Sequence, residues 1–165
     1  MRAWAVPDYV LPGPVAIARA LVADWPLLSA SLLVTLEVAA LALVAAVSLG
    51  GLLAVLFAQS RWVERALFPY AVVLQVTPVV AIAPLILIWV NSVTVALLIC
   101  AWIVAFFPIL SNTVLGLNSA DRNLADLFRL YGATRWQALW LLRLPSALPY
   151  FLAGLRVAGG LALIG

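Results

Sequence analysis

The sequence predicts an all-α fold, a polytopic helical membrane protein with about four spans in a single domain over residues 1–165. Three observations carry this. The chain is 67% hydrophobic and 9% charged, with a mean hydropathy of +1.21. A soluble domain is about half apolar and about a quarter charged, and a core of this size cannot hide the excess. Residues 66–120 contain no Asp, Glu, Lys or Arg. Finally, one polar, amphipathic stretch, DRNLADLFRLYGATRWQALWLLRLP at 121–145, lies between segments that only a bilayer accommodates, so it faces an aqueous phase.

The elements follow in order. The start, MRAWAVPDYVLPGP, is not a signal peptide, because Pro7, Asp8, Pro12 and Pro14 break its apolar stretch. Residues 15–22 suffice for a short interfacial helix but not for a span. The first span covers 27–58 and passes through Gly50 and Gly51. It exceeds the ~20 residues that cross a bilayer, so it tilts or extends beyond it. The segment 61–65 then forms a loop. The second span, 67–90, carries Pro69, Pro78 and Pro84 and is expected to be kinked or discontinuous, with its freed carbonyls met by protein or a cavity. Asn91 and Ser92 make a tight hairpin to the third span, 93–115, which contains Pro108. The fourth, 146–165, begins near Ser146 and is still apolar at Gly165, so the sequence reads as part of a longer one. Cys100 lies in an apolar run and has no partner in the chain, which makes it a buried filler.

Arginine placement gives the orientation. The nine cationic residues are all Arg, and there is no Lys or His. Arg61 and Arg65 follow the first span. Arg122, Arg129, Arg135 and Arg143 follow the third, and the Asn91–Ser92 turn carries no charge. The positive-inside rule places both arginine-bearing loops in the cytoplasm. The N-terminal arm, with Arg2 and Arg19 offset by Asp8 and Asp24, then lies outside, a parity that one further upstream span restores.

The loop 116–145 reads as two short helices with defined ends. Asn118 or Ser119 is placed to cap the first, with Asp121 favourable in its first turn. Leu124, Leu127, Phe128 and Tyr131 form one apolar stripe, while Arg122, Asp126 and Arg129 share another face at spacings that allow weak ion pairs. Gly132 stands where a left-handed helix stop belongs. Thr134 with Gln137 reads as a capping box, Trp136, Leu139 and Trp140 as the apolar face of the second helix, and Leu144 with Pro145 as its stop. By periodicity alone such a loop is either a hairpin lying on the lipid surface or a docking element.

The same residues resemble the cytoplasmic coupling loop of ABC importer permeases, the inner-membrane components of binding-protein-dependent transport systems. The family pattern is E-A-A, three residues, Gly, nine residues, then Ile-x-Leu-Pro. Here Asp126, Leu127 and Phe128 stand at the E-A-A place, Gly132 at the glycine, and Leu142, Arg143, Leu144 and Pro145 at the end, with both spacings kept. The acid is Asp, both alanines are replaced, and Leu stands for Ile. The segments VPDYVLPGP, LQVTPVVAIAPLILIW, FFPILSNTVLGL and LPSALPYFLAGLRVAGGLALIG also resemble successive family segments, most closely in the nitrate, sulfonate and taurine group, which includes permeases for thiamine-precursor pyrimidines.

The resemblance implies a type I ABC importer transmembrane (MetI-like) fold in a bacterial plasma (inner) membrane. It implies a cytoplasmic ATPase docked at Arg122, Asp126, Arg129, Gly132, Arg135, Leu142, Leu144 and Pro145, a second permease subunit, commonly an identical one, and a substrate-binding protein. No nucleic acid is involved. The chain binds no cofactor, and ATP is used by the partner. In keeping with this, a Walker A loop needs a lysine, which this chain lacks. With no His and one Cys it offers neither a nucleophile–base pair nor a zinc or other metal set, so no catalytic residues are expected.

Polar residues within spans complete the reading. Gln75 and Thr77 adjoin the Pro78 break and are candidates for the translocation path, with helix–helix hydrogen bonding as the plainer role. Glu37 is read as supporting neighbouring helices, the group Ser111, Asn112 and Thr113 as packing, and Gly154, Gly159 and Gly160 as points of close helix approach. Two other classes fit less well: a secondary transporter with broken helices, for which Glu37 is the one intramembrane acid, and a membrane fragment that transports nothing.

Overall fold

The computed structural model describes residues 13–165, and the prolines at 7 and 12, Arg2, Asp8 and most of the VPDYVLPGP segment lie outside the described residues. The described chain has no strand, and it divides into two compact units between Glu37 and Val38. The first unit holds helix α1 (Pro14–Ala23) and the beginning of α2 (Trp25–Gln59). Proline opens α1 where its missing N–H costs nothing, and none of the ten residues is buried.

The second unit is built around α5 (Val93–Asn118). Ile109, Leu110 and Leu117 on α5 are fully buried with Phe57 of α2 and Leu139. Three aromatic rings, Phe57, Phe68 and Phe107, pack with centroids 6.4 and 6.2 Å apart, the first pair edge-on and the second tilted, and tie α2, α3 (Arg61–Val76) and α5 together. Against α5 runs α8 (Leu144–Ile164), antiparallel and very close. A β-carbon on Gly116 would stand 2.8 Å from the Ala147 Cα, and one on Gly154 2.8 Å from the Pro108 carbonyl oxygen. Gly159 and Gly160 have open space instead, so of the glycines expected to permit close approach only Gly154 does so, and Gly116 joins it.

The segment read as the first span lies within one 35-residue helix, unbroken at Gly50 and Gly51 and longer than the ~20 residues that cross a bilayer. The second is not one straight span. Helices α3 and α4 (Val79–Val90) meet at a 98° bend, a broken span or a re-entrant hairpin, so among the described residues three helices are long and apolar enough to cross and the bent pair makes at most a fourth. The cause is Pro78. It cannot donate to the Leu74 carbonyl, and it forces the preceding Thr77 out of the helical region to ψ 121. Residues 61–65 are not a loop but the first turn of α3, capped by the Ser60 hydroxyl, which accepts from the Val63 amide at 3.5 Å. Asn91 does form the tight reversal, with φ at 54. Cys100 is buried and unpaired, as read.

The greatest departure is at the last span. Leu144 and Pro145 do not stop the second loop helix. Instead α7 (Arg135–Ala138), a π-helical turn (Leu139–Arg143) and α8 form one continuous helix, Arg135–Ile164. Widening the turn by one residue just before Pro145 accommodates a residue with no N–H, and the Ser146 hydroxyl donates to the Leu142 carbonyl at 2.8 Å.

Candidate functional site

The polar loop begins with α6 (Arg122–Leu130), nine residues with a strongly one-sided charge pattern and none buried. Its N-cap is Asp121 rather than Asn118 or Ser119. The Asp121 carboxylate accepts from the Asn123 amide at 2.7 Å, while Asn118 ends α5 and the Ser119 hydroxyl donates back to the Gly116 carbonyl. At the other end, Gly132 takes φ +67. Its amide donates to the Arg129 carbonyl at 3.0 Å and the Ala133 amide to the Phe128 carbonyl at 2.9 Å. This paired 5→2 and 6→1 arrangement is a Schellman stop, and it needs the left-handed residue that the sequence supplies. Two residues on, Thr134 and Gln137 close a full capping box.

The first loop helix therefore stops and the second starts as read, whereas the first is capped by Asp121 and the second runs on into α8; their faces also differ from the expectation. Leu139 and Leu142 enter the core, whereas Trp136 and Trp140 stay exposed, as do Leu127, Leu130 and Tyr131. Asp126 and Arg129 pair at 3.1 Å, both well exposed, which is worth at most a few tenths of a kcal/mol. Arg122 makes no ion pair among the described residues. Leu144 is half-buried at the joint into α8, and Pro145 is exposed there.

Two adjoining clefts sit beneath α6, of about 890 and 590 Å³. Between them they are lined by Arg61, Arg65, Arg122, Arg129, Arg135 and Arg143. Arginines from the first turn of α3 and from the polar loop, some sixty residues apart in the sequence, thus gather at one end of the bundle. The Asn91–Ser92 turn sits at the opposite end of α5, about 39 Å away along a 26-residue helix. This gives a direct topology test. With single cysteines at Glu64, Ser92 and Asn123 in a Cys100→Ala background, an impermeant thiol reagent applied to intact cells is expected to label position 92 and to spare 64 and 123. Labelling at 64 or 123 from outside would refute the arrangement.

Two arginines reach across the bundle. The Arg143 guanidinium donates to the Ala58 carbonyl at 2.8 Å, partly buried, and Arg135 donates to the Gln59 carbonyl at 3.5 Å. Arg143 was legible as a cytoplasmic loop arginine and as part of the motif spacing, but not in this contact. Its target is a main-chain oxygen, which every residue carries, so no sequence signal marks it. Arg135, expected to face a partner, points in part toward the end of α2.

The candidate path residues are placed apart from this end. Gln75 is exposed on α3, and Thr77 is half-buried with its hydroxyl bonded to the Val73 carbonyl at 2.6 Å. Glu37 is exposed and makes no side-chain hydrogen bond among the described residues, so the supporting role expected of it is not seen. The Asn112 amide and Thr113 hydroxyl bond back to the Pro108 and Ile109 carbonyls of their own helix, in keeping with packing.

Comparison with known proteins adds a separate line. Residues 46–165 match the family model described as binding-protein-dependent transport system inner membrane component. The chain is 38% identical over 158 residues to the formylaminopyrimidine transport permease protein of Halalkalibacterium halodurans, covering 95% of this chain and 63% of that one. It is 35% identical over 168 residues to the riboflavin transport system permease protein of Chloroflexus aurantiacus, covering 96% and 60%. It is 31% identical over 160 residues to a permease protein of Bacillus subtilis named for aliphatic sulfonates, covering 94% and 57%. The chain thus spans about three-fifths of the length of these relatives.

Proposed function

The chain belongs to the family of binding-protein-dependent transport system inner membrane components, and from this premise we propose that it forms the translocation path of an ATP-driven importer of the bacterial inner membrane. The all-α, multi-pass architecture fits that membership. The observation that supports the mechanism most is the loop 121–143. It is a pair of helices with hydrogen-bonded caps where they meet, exposed apolar side chains, and a continuous joint into the last helix.

A cytoplasmic ATPase subunit engages that loop. Closure of two ATPases on ATP displaces the loops of two permease subunits, taken here as identical, and the packed helices rock from inward-facing to outward-facing. A substrate-binding protein then releases its cargo into the opened cavity. ATP is hydrolysed on the partner, since no lysine is present here for the phosphates. The cargo is a small solute. The names of the relatives favour a pyrimidine precursor or other heterocycle over an alkanesulfonate or nitrate.

The bend at Thr77 and Pro78 supports a position on the path for Gln75 and Thr77. A break in mid-bilayer leaves main-chain carbonyls that cost several kcal/mol unless they meet protein or water, and Gln75 is exposed beside it. The test is co-purification of an ABC ATPase with the tagged permease, followed by uptake into vesicles with the binding protein and a panel of formylaminopyrimidine, riboflavin, an alkanesulfonate and nitrate. Gln75→Leu is expected to lower uptake at least several-fold and to leave ATPase co-purification unchanged. Unchanged uptake, or loss of the whole complex, makes Gln75 a packing residue.

A further inference from the structure

The carboxyl end of α2 has an unusual partner. Like any helix end it leaves its last carbonyls without amide donors four residues on. Here the Ser60 amide serves the Leu56 and Phe57 carbonyls. The next two, on Ala58 and Gln59, receive the guanidinium groups of Arg143 and Arg135. A cation at this position satisfies the orphan oxygens and opposes the negative end of the helix dipole. The Arg143 contact is short and shielded, so it is the stronger of the two.

The register of that contact depends on the π-helical turn. Arg135 and Arg143 are eight positions apart on one continuous helix. In an uninterrupted α-helix that spacing leaves them about 80° apart around the axis. The widened turn Leu139–Arg143 absorbs one residue, which brings the offset to within about 20°. The turn therefore does more than accommodate Pro145. It turns both arginines to the same face, the face that meets the end of α2.

We propose that Arg143, assisted by Arg135, is a positioning strap that fastens the first span to the coupling loop, so that a displacement of the loop is delivered to α2 as well as to α8. This rests on the permease reading above. Without the strap the loop is covalently continuous with α8 but keeps no hydrogen bond to α2 among the described residues. With it, the cytoplasmic ends of both long helices move as one body.

The test uses the full-length permease with its ATPase in inside-out vesicles, in a Cys100→Ala background, with a cysteine replacing Gln59 as reporter at the end of α2. Arg143→Gln is expected to speed thiol labelling of that reporter about tenfold, the size that follows from losing one charge-assisted hydrogen bond. Arg143→Lys, which keeps the charge and a donor, is expected to restore most of it. A non-hydrolysable ATP analogue changes the labelling rate in the parent complex and no longer does so in Arg143→Gln, although the ATPase co-purifies at the parent ratio. A merely structural role would lower yield without uncoupling the response. Should Arg143→Gln fail to accumulate, Arg135→Gln, on the exposed contact, is expected to give a smaller rise of about twofold to threefold. Unchanged labelling and an intact nucleotide response in the glutamine variants overturn the strap. Failure of any ATPase to bind the parent permease instead overturns the permease reading and with it the transmission to α2, while the nucleotide-free labelling rates still judge the contact.

Discussion

Replacing Gly132 with valine is expected to uncouple the chain from the ATPase proposed to dock on its loop. Gly132 holds φ +67 between two capped helices, and a β-branched residue there is strained by on the order of 1–3 kcal/mol. Nothing lies within 4 Å of where its β-carbon would stand, so the effect comes from the backbone and not from a clash. Helix α6 has no buried residue to hold it against that strain. It will rotate, opening the Schellman bonds of Gly132 and Ala133 and moving the exposed Leu127, Leu130 and Tyr131 relative to Trp136. Co-purification of the ATPase should fall about tenfold, since each 1.4 kcal/mol is worth about that factor. Gly132→Asn, which tolerates the left-handed region, should stay near the parent level. A valine variant that binds the ATPase and transports normally would sink the docking role of the loop.

The second large effect is expected at Gly154. Its missing side chain lets α8 lie directly against α5. Even a β-carbon would come within 2.8 Å of the Pro108 carbonyl oxygen and 2.9 Å of the Asn112 Cβ, neither of them a flexible chain end. Gly154→Val must therefore separate the two helices at the centre of the bundle. Overpacking of this kind costs typically about 1–3 kcal/mol and more where backbone must yield. Loss of accumulation in the membrane, or a clear drop in the melting temperature of the purified protein in detergent, is the expected readout. Gly116→Val should behave alike, because its β-carbon would meet Ala147 and Tyr150. Gly159→Ala is the control: with open space around it, it should be neutral or slightly stabilising, as alanine favours a helix over glycine by about 1 kcal/mol. If Gly154→Val melts with the parent protein, the close α5–α8 crossing is wrong.

Both predictions start from glycines that look alike in the sequence, and they separate what was legible from what was not. Gly132 announced itself, because a left-handed stop is a local event. The amphipathic run before it, the capping box after it and the Leu-Pro spacing all lie within a few turns. Gly154 and Gly159 sit in the same apolar run with nothing local to tell them apart. Which of them faces α5 is fixed by the rotation of α8 about its axis. That rotation depends on the π-helical turn before Pro145, which the sequence reading took for a helix end.

The sequence by itself determined the all-α membrane class, the apolar segments, the break at Pro78, the reversal at Asn91 and the stop and capping box where the two loop helices meet. Hydropathy, caps and prolines act within about one helical turn or sum over a single segment, so they can be read along the chain. Tertiary structure alone decided the 98° angle of the break, the fusion of the second loop helix with the last span, and the gathering of six arginines around two clefts. It alone also set Arg143 against the Ala58 carbonyl, 85 residues away. A contact across that distance exists only once α5 has fixed where α2 and α8 lie, and its acceptor is a main-chain oxygen that carries no side-chain signature.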